Sequence, residues 1–462
     1  MEEAPSKSKL ETALERFIIE GGAQLRGTIR PSGNKNAALP ILAASLLTDE
    51  PLTVRNVPRI RDVRDMLALL EGLGVEITEL GPHDLVLRAR DLRTTELDRE
   101  ICAQIRASIL LAGPMLARAG EVRLPPPGGD VIGRRRVDTH LAALRALGAE
   151  VRVDRGYTMR AAALRGEEIF LDEASVTATE NALMAAALAK GTTLLLNAAG
   201  EPHVQELARC LNRMGARISG IGSNALTVEG VDRLHGAEVE IGPDHIEVGS
   251  FIGLAAMTRG ELLIENAAPE HLPMVFIAFE RLGIKCRVQG PAPVGDGPAG
   301  GAGPAGRSGR VAGGDVLVPA KQSLKIESDA NNAVPKIDDG PWPAFPSDLM
   351  SIALTVATQC EGTILMHEKM FEGRMFFVDK LLNMGARVVL CDPHRAVVVG
   401  PSRLHGERLE SPDIRAGMAL LLAALSARGQ SIINNIGQID RGYERIEMKL
   451  QALGANIERV KV

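Results

Sequence analysis

The sequence predicts an α/β fold of pseudo-symmetric build, and three observations in its 462 residues predict it. A signature of apolar helix, glycine and strand occurs six times. A second signature, a small-residue apolar helix followed by a turn and a strand, precedes each copy, and the copies lie about 70 residues apart. Each unit therefore reads helix, strand, helix, strand, which is longer than a solenoid repeat and closer to a small packing module. The expected arrangement is three units plus three.

In chain order the first signature reads LALLEGLGVEI, LAALRALGAEV, LARCLNRMGARI, IAFERLGIKCRV, VDKLLNMGARVV and MKLQALGANIERV. Its glycines, Gly74, Gly148, Gly215, Gly283, Gly385 and Gly454, follow helical apolar patterns and precede strand-like runs, so they are predicted helix C-caps. The preceding helices are carried by NAALPILAASLL, RASILLAGPMLARAG, TENALMAAALAKG, SFIGLAAMTRG, SDLMSIALTVATQ and DIRAGMALLLAALSARG. Rich in Ala, Gly and Leu, they are apolar all round, which suits helices buried inside a ring of sheets. The glycine spacings are 74, 67, 68, 102 and 69. The long one holds GPAPVGDGPAGGAGPAGRSGRVAGG, residues 290–314, whose composition cannot build a packed core and predicts a flexible surface insertion in the fourth unit.

Composition narrows the function classes. Apolar residues make up 45% of the chain, enough for two or three domains. A net charge of −5 gives no global attraction to nucleic acid or an anionic membrane, and 3% aromatics leave few rings for base stacking. Any anion must be held by a local cluster of cations. The five cysteines form no CxxC pair, so neither a zinc site nor a disulfide framework is signalled, and no cofactor or metal is implied. The N-terminal stretch MEEAPSKSKLETALER lacks an apolar signal core, and Ala416 to Ala427 is too short to span a bilayer; a cytoplasmic protein with buried helices is expected.

Three stretches interrupt the apolar pattern with charge. In PSGNKNAALP, Lys35 and Asn36 sit at a predicted helix start, where backbone amides and a lysine make an anion site, or where a lysine is simply solvated. In PPPGGDVIGRRRVDTH, a lone Asp130 precedes Arg134, Arg135 and Arg136, with Arg106 upstream in RASILLAGP. Guanidinium forks match phosphate and carboxylate oxygens, while the bland reading is a solvated charged loop. The last units add Asp348 in PAFPSDLM, Arg374 in FEGRM, Asp413 and Arg415 in SPDIRAGM, and Arg441 and Arg445 in IDRGYERIEMKL. Arg415 lies at a predicted helix N-terminus, where its own charge is locally unfavourable, a placement that points to a ligand. From the residues alone, the expectation is an enzyme holding a polyanionic small substrate between two halves of the molecule.

The stretches GNKNAALPILAASLL, RASILLAGP, GGDVIGRRRVDTH, TATENALMAA, PAFPSDLM and IDRGYERIEMKLQALGANIERV, long and in this order, resemble the UDP-N-acetylglucosamine 1-carboxyvinyltransferase family over about residues 17–462. The resemblance implies the enolpyruvyl transferase fold, a two-domain inside-out α/β barrel of six units. One domain would comprise 1–34 with 243–462, the other 35–242 with the Asp130 loop, and the active site would lie in the cleft between them. It implies two small-molecule substrates, phosphoenolpyruvate and UDP-N-acetylglucosamine, with no nucleic-acid partner and no membrane insertion. The reaction it implies is transfer of the enolpyruvyl group to the sugar 3-hydroxyl with release of phosphate, at the start of peptidoglycan precursor synthesis, with Asp130 as general acid.

By the same resemblance, Asp348 is the candidate base and Lys35, Asn36, Arg135 and Arg441 the phosphoenolpyruvate site, with Lys35 and Arg441 counted as catalytic. Arg106, Arg135, Arg136, Val137, Asp138, Thr139, Ser175, Val176, Asp348 and Met370 match the nucleotide-sugar positions, and Arg374 and Arg415 further cleft arginines. Two positions depart. Glu173 stands where a lysine is familiar, and a carboxylate there would repel a diphosphate. Asp130 stands where most members carry a cysteine that serves as general acid, so the chain resembles the minority aspartate variant, which cannot form the thioether that fosfomycin makes with a thiolate. The sister enzyme acting on shikimate phosphate and a non-catalytic nucleotide-sugar-binding paralogue are the competing readings.

Overall fold

The computed structural model describes residues 15–130, 132–133, 135–290 and 314–461. Arg134 and nearly all of the insertion expected at 290–314 lie outside the described residues. The six predicted apolar helices are present and are labelled here α1 (Lys35–Ala44), α2 (Ala112–Ala119), α3 (Val176–Ala186), α4 (His245–Met257), α5 (Met350–Ala357) and α6 (Ile414–Ser426). All thirteen residues of α4 and all eight of α5 are buried, as expected for helices without a polar face. Small residues let them approach closely. A Cβ on Gly253 of α4 would come within 3.0 Å of both Ile352 and Val356 of α5, and one on Gly113 of α2 within 2.4 Å of the Asn181 carbonyl of α3.

Outside these helices lie six sheets among the described residues, five of four strands and one of three. The second set of helices, such as Arg61–Leu73 and Pro202–Arg213, each buries one face and ends at a signature glycine. All six glycines take left-handed backbone, with φ of 106°, 101°, 101°, 78°, 94° and 96° from Gly74 to Gly454. That conformation costs a side-chain-bearing residue about 1–2 kcal/mol, which explains why the chain punctuates every unit with glycine.

The apolar residues pack into two separate cores. One gathers Phe17 to Ile29 with Ile246 to Ile457 around α4, α5 and α6; the other gathers Ala37 to Ile241 around α1, α2 and α3. The chain passes between them twice, side by side: Asn34 N donates to Gly242 O at 2.8 Å and Asp244 N to Ser32 O at 2.9 Å. Strands then close each ring across sequence distance. Ala237–Glu240 runs parallel to Leu52–Arg55, and Glu15–Glu20 lies antiparallel between Gln430–Asn434 and Asn456–Lys461. α1 and α4 both start at this double crossing, so their N-termini face the space between the cores.

Candidate active site

A cavity of about 330 Å³ lies between the two cores, with walls from both. From the 37–241 side come Lys35, Asn36, Arg106, Asp130, Arg135, Arg136, Glu173, Ser175 and Val176; from the other come Asp348, Met370, Arg374, Arg415 and Arg441. Of the described residues singled out from the sequence, Asp413 and Arg445 do not line it, nor do Val137, Asp138 and Thr139. The last three open the helix Asp138–Ala146, where Asp138 pairs with Arg136 and Thr139 Oγ1 donates to Asp172 at 2.7 Å.

Two charged corners organise the cavity. In the first, Asp62 sits between Lys35 Nζ at 2.5 Å and Arg441 Nε at 2.9 Å, and Arg441 also contacts the carboxylate of Asp130. Burial pushes the Asp62 carboxyl up, but Lys35 and Arg441 outweigh it and hold it below the usual carboxylate range. In the second corner Asp348 is gripped by two arginines: Arg374 Nη2 at 2.5 Å, and Arg415 through Nε at 3.0 Å and Nη2 at 2.8 Å. Burial opposes its ionisation, yet the two guanidinium groups keep Asp348 ionised and well below the ordinary range. Its side chain remains 26% exposed, while those of Arg374 and Arg415 are 6% and 5%. The helix-start position of Arg415, unfavourable by itself, is offset by Asp348 and by Asp413, which caps α6 by accepting from Arg415 N and Ala416 N.

The anion site expected from the amides at the start of α1 is not available. Asn34 caps the helix and its side chain accepts from Asn36 N and Ala37 N, while Lys35 N donates to Asp244. The cation there is the Lys35 side chain alone. Arg106 also has a different local task from a direct anion contact: its Nη2 donates to the carbonyls of Arg135 at 2.7 Å and Arg136 at 3.0 Å, pinning the arginine loop. That leaves Arg135 with no carboxylate partner among the described residues, and burial, reinforced by Arg106, lowers its guanidinium to about 10. Asp130 and Asp348 pull it the other way from beyond ion-pair distance, so Arg135 faces the cavity with donors open to an anion. Glu173 is exposed at the cavity wall, and Arg136 is engaged with Asp138 and Asp172.

Sequence reasoning missed several lining residues. Asp62 is one; it shares a helical face with buried Met66, Leu69 and Leu73, and an acid on an apolar stripe was the available signal. Glu180, within the apolar run of α3, is buried with Oε1 unpartnered, and burial pushes its carboxyl well up. His203 and His245 come from opposite cores and stack with ring centroids 6.2 Å apart; burial holds both neutral, at about 3 and about 4. The single tryptophan, Trp342, completes this wall, its backbone N–H donating to Glu201 Oε1 across the cleft at 3.4 Å.

A family model described as EPSP synthase (3-phosphoshikimate 1-carboxyvinyltransferase) matches residues 19–450. The chain is 57% identical over 445 residues to UDP-N-acetylglucosamine 1-carboxyvinyltransferase of Bradyrhizobium diazoefficiens, covering 96% of this chain and 98% of that protein. It is 53% identical to the enzyme of the same name from Treponema denticola, at 96% and 99% coverage. The chain belongs to the UDP-N-acetylglucosamine 1-carboxyvinyltransferase family. Its fold matches the enolpyruvyl transferase NikO from Streptomyces tendae, with a TM-score of 0.82 at 24% identity over 97% of this chain and all of that one. EPSP synthase from Acinetobacter baumannii matches with a TM-score of 0.73 at 16% identity over 96% of this chain, again a likeness of fold. The two-core α/β architecture is thus that of the enolpyruvyl transferases.

Proposed function

We propose that the chain transfers the enolpyruvyl group of phosphoenolpyruvate to the 3-hydroxyl of UDP-N-acetylglucosamine, releasing phosphate, in the first committed step of peptidoglycan precursor synthesis. The observation that carries this reading is the pairing of two corners across one cleft: Lys35 and Arg441 beside the loop acid Asp130 on one side, ionised Asp348 on the other. The two cores correspond to two domains, divided near residues 34/35 and 242/243, and the cleft between them is the active site.

In this mechanism Asp348 accepts the proton of the 3-hydroxyl as its oxygen bonds to C2 of phosphoenolpyruvate, and Asp130 delivers a proton to the methylene carbon. The tetrahedral intermediate then loses phosphate and a proton from the new methyl group. Lys35, Arg135 and Arg441 bind the phosphate and carboxylate, and their clustered charge stabilises the anionic intermediate more than the ground state. Asn36 lies beside the reacting centre. Arg106, Arg136, Ser175, Val176 and Met370, with Val137, Asp138 and Thr139 at the adjoining helix start, form the nucleotide-sugar side. Glu173 weakens the hold on the diphosphate relative to a lysine.

Asp130 makes the chain an aspartate variant of its family. It lies against Arg441, within reach of the phosphoenolpyruvate site, which supports its role as general acid. The test is phosphate release from phosphoenolpyruvate with UDP-N-acetylglucosamine as acceptor. Release that requires shikimate 3-phosphate instead would reassign the acceptor, and nucleotide-sugar binding with no release under any condition would reduce the chain to a binding protein. Wild-type activity should withstand fosfomycin, and time-dependent inactivation would refute the reading of Asp130.

A further inference from the structure

Behind the Asp348 corner lies a second pair of acids. Glu368 is fully buried and Asp339 is 1% exposed. Glu368 Oε1 accepts from the backbone N–H groups of Met370 and Phe371, both at 3.1 Å, and Ser347 Oγ donates to both Glu368 oxygens at 3.0 Å. Ser347 Oγ in turn accepts from Arg374 Nε at 3.2 Å, and Arg374 Nη2 holds Asp348. One buried carboxyl thus fixes both the Met370 and Phe371 turn, which lines the cavity, and the arginine that orients the candidate base.

Asp339 Oδ1 accepts from Lys369 N at 2.5 Å, but its Oδ2 is buried with no donor among the described residues, and the neighbouring Glu368 carboxyl is within hydrogen-bonding reach of Asp339. Two ionised carboxylates side by side in a dry site repel; a single proton on one of them removes the repulsion and satisfies the orphan acceptor. Glu368 Oε1 already accepts three hydrogen bonds and Oε2 only the shared one from Ser347, so Oε2 is the oxygen with room to carry the proton offered to Asp339.

We propose that Glu368 acts as a neutral acid, sharing its proton with Asp339, and is a positioning residue for enolpyruvyl transfer that aligns Asp348 through Ser347 and Arg374 and shapes the acceptor-facing rim at Met370 and Phe371. This rests on the function proposed above. Burial and Asp339 push the Glu368 carboxyl up to about 9, outweighing Arg374 and Ser347, which pull it down. The other charged or titratable groups around it are Lys369, whose Nζ contacts Asp338, and His394, whose Nδ1 lies 2.7 Å from the Glu368 carbonyl. As pH rises past about 9, ionisation breaks the link to Asp339 and the alignment with it.

Glu368→Gln mimics the neutral acid, with an amide oxygen for the same three donors and an N–H for Asp339. It should keep kcat within about threefold of wild type and lose the alkaline decline in activity, whereas Glu368→Ala should lower kcat by roughly tenfold or more and raise KM for the nucleotide sugar more than for phosphoenolpyruvate. The infrared difference spectrum of wild type minus Glu368→Gln at neutral pH should show one protonated-carboxyl band, distinct from those of buried Glu180 and Glu206 that both proteins share, whether or not the protein turns over. Absence of that band, or a Gln variant as impaired as the Ala variant while both melt normally, would overturn the proposal. Wild type that releases no phosphate would instead count against the proposed function and leave the infrared result to decide the role of Glu368.

Discussion

The two corners of the cleft use the same residue types in opposite ways. Around Asp62, two cations meet two carboxylates, and one of these, Asp130, comes from a loop; around Asp348, two arginines converge on a single carboxylate fixed at the start of α5. The charge balance of the first corner depends on one loop residue. The second is held rigidly by a buried network that reaches Ser347 and Glu368. In the proposed mechanism the loop-fed corner delivers the proton and the fixed one orients the hydroxyl.

The largest effect should come from breaking the first corner at its loop member. Asp130→Ala should reduce turnover by about 10²–10⁴-fold, with nucleotide-sugar binding nearly unchanged, as measured by phosphate release and by titration of Trp342 fluorescence. Asp130→Cys should restore a general acid and make the enzyme sensitive to fosfomycin, read as time-dependent loss of activity.

Next in size, removing the helix member, Asp62, should harm the fold. Asp62→Asn leaves Lys35 and Arg441 buried with less compensating charge, and the expected destabilisation is about 3–5 kcal/mol, measured by urea denaturation. An unchanged midpoint would mean that water or Asp130 already compensates these cations.

The smallest effect concerns pH. Glu180, Glu206 and Glu368 have folded-state values raised by burial, Glu206 to about 7 and Glu368 to about 9, so they hold protons in the folded protein that the unfolded chain has released. Their stabilising contribution is full below the unfolded carboxylate value and is lost as pH rises through the folded one. The buried neutral His140, His203 and His245 act in the other direction: the unfolded chain takes up protons below its ordinary histidine range, so their contribution is lost as pH falls. Below about pH 6.5 the two groups oppose each other, and above it only the carboxyls remain. Tm should therefore be higher at pH 6 than at pH 9, and Glu206→Gln should flatten part of the decline.

The repeat was legible in the sequence because its signals are local. A helix C-cap glycine needs only its own backbone to adopt positive φ, and all six predicted ones do. The all-apolar helices were likewise visible, since a helix with no polar face has nowhere to go but inside; Ile414–Ser426 is buried from Ile414 to Leu425. Lys35, Arg441, Asp348 and Arg415 stood out as charges that interrupt the apolar pattern; only Arg415 was locally unexplained, and the roles of Lys35, Arg441 and Asp348 came from the family resemblance. Misreadings arose where a local rule had a closer competitor: the amides at the start of α1 were taken by the Asn34 side chain before any ligand.

By itself, the sequence determined six units, their helices and turns, and the identity of the charged residues available to a site. Only the tertiary structure decided which charge faces which. Asp62 and Arg441 are 379 residues apart, and their pairing exists because two rings of sheets close on each other at the double crossing. The physical reason is one of range. Backbone caps and helical periodicity act within a turn or two of chain, whereas the ionisation of a buried carboxyl depends on every charge within a few ångströms, whatever its position in the sequence.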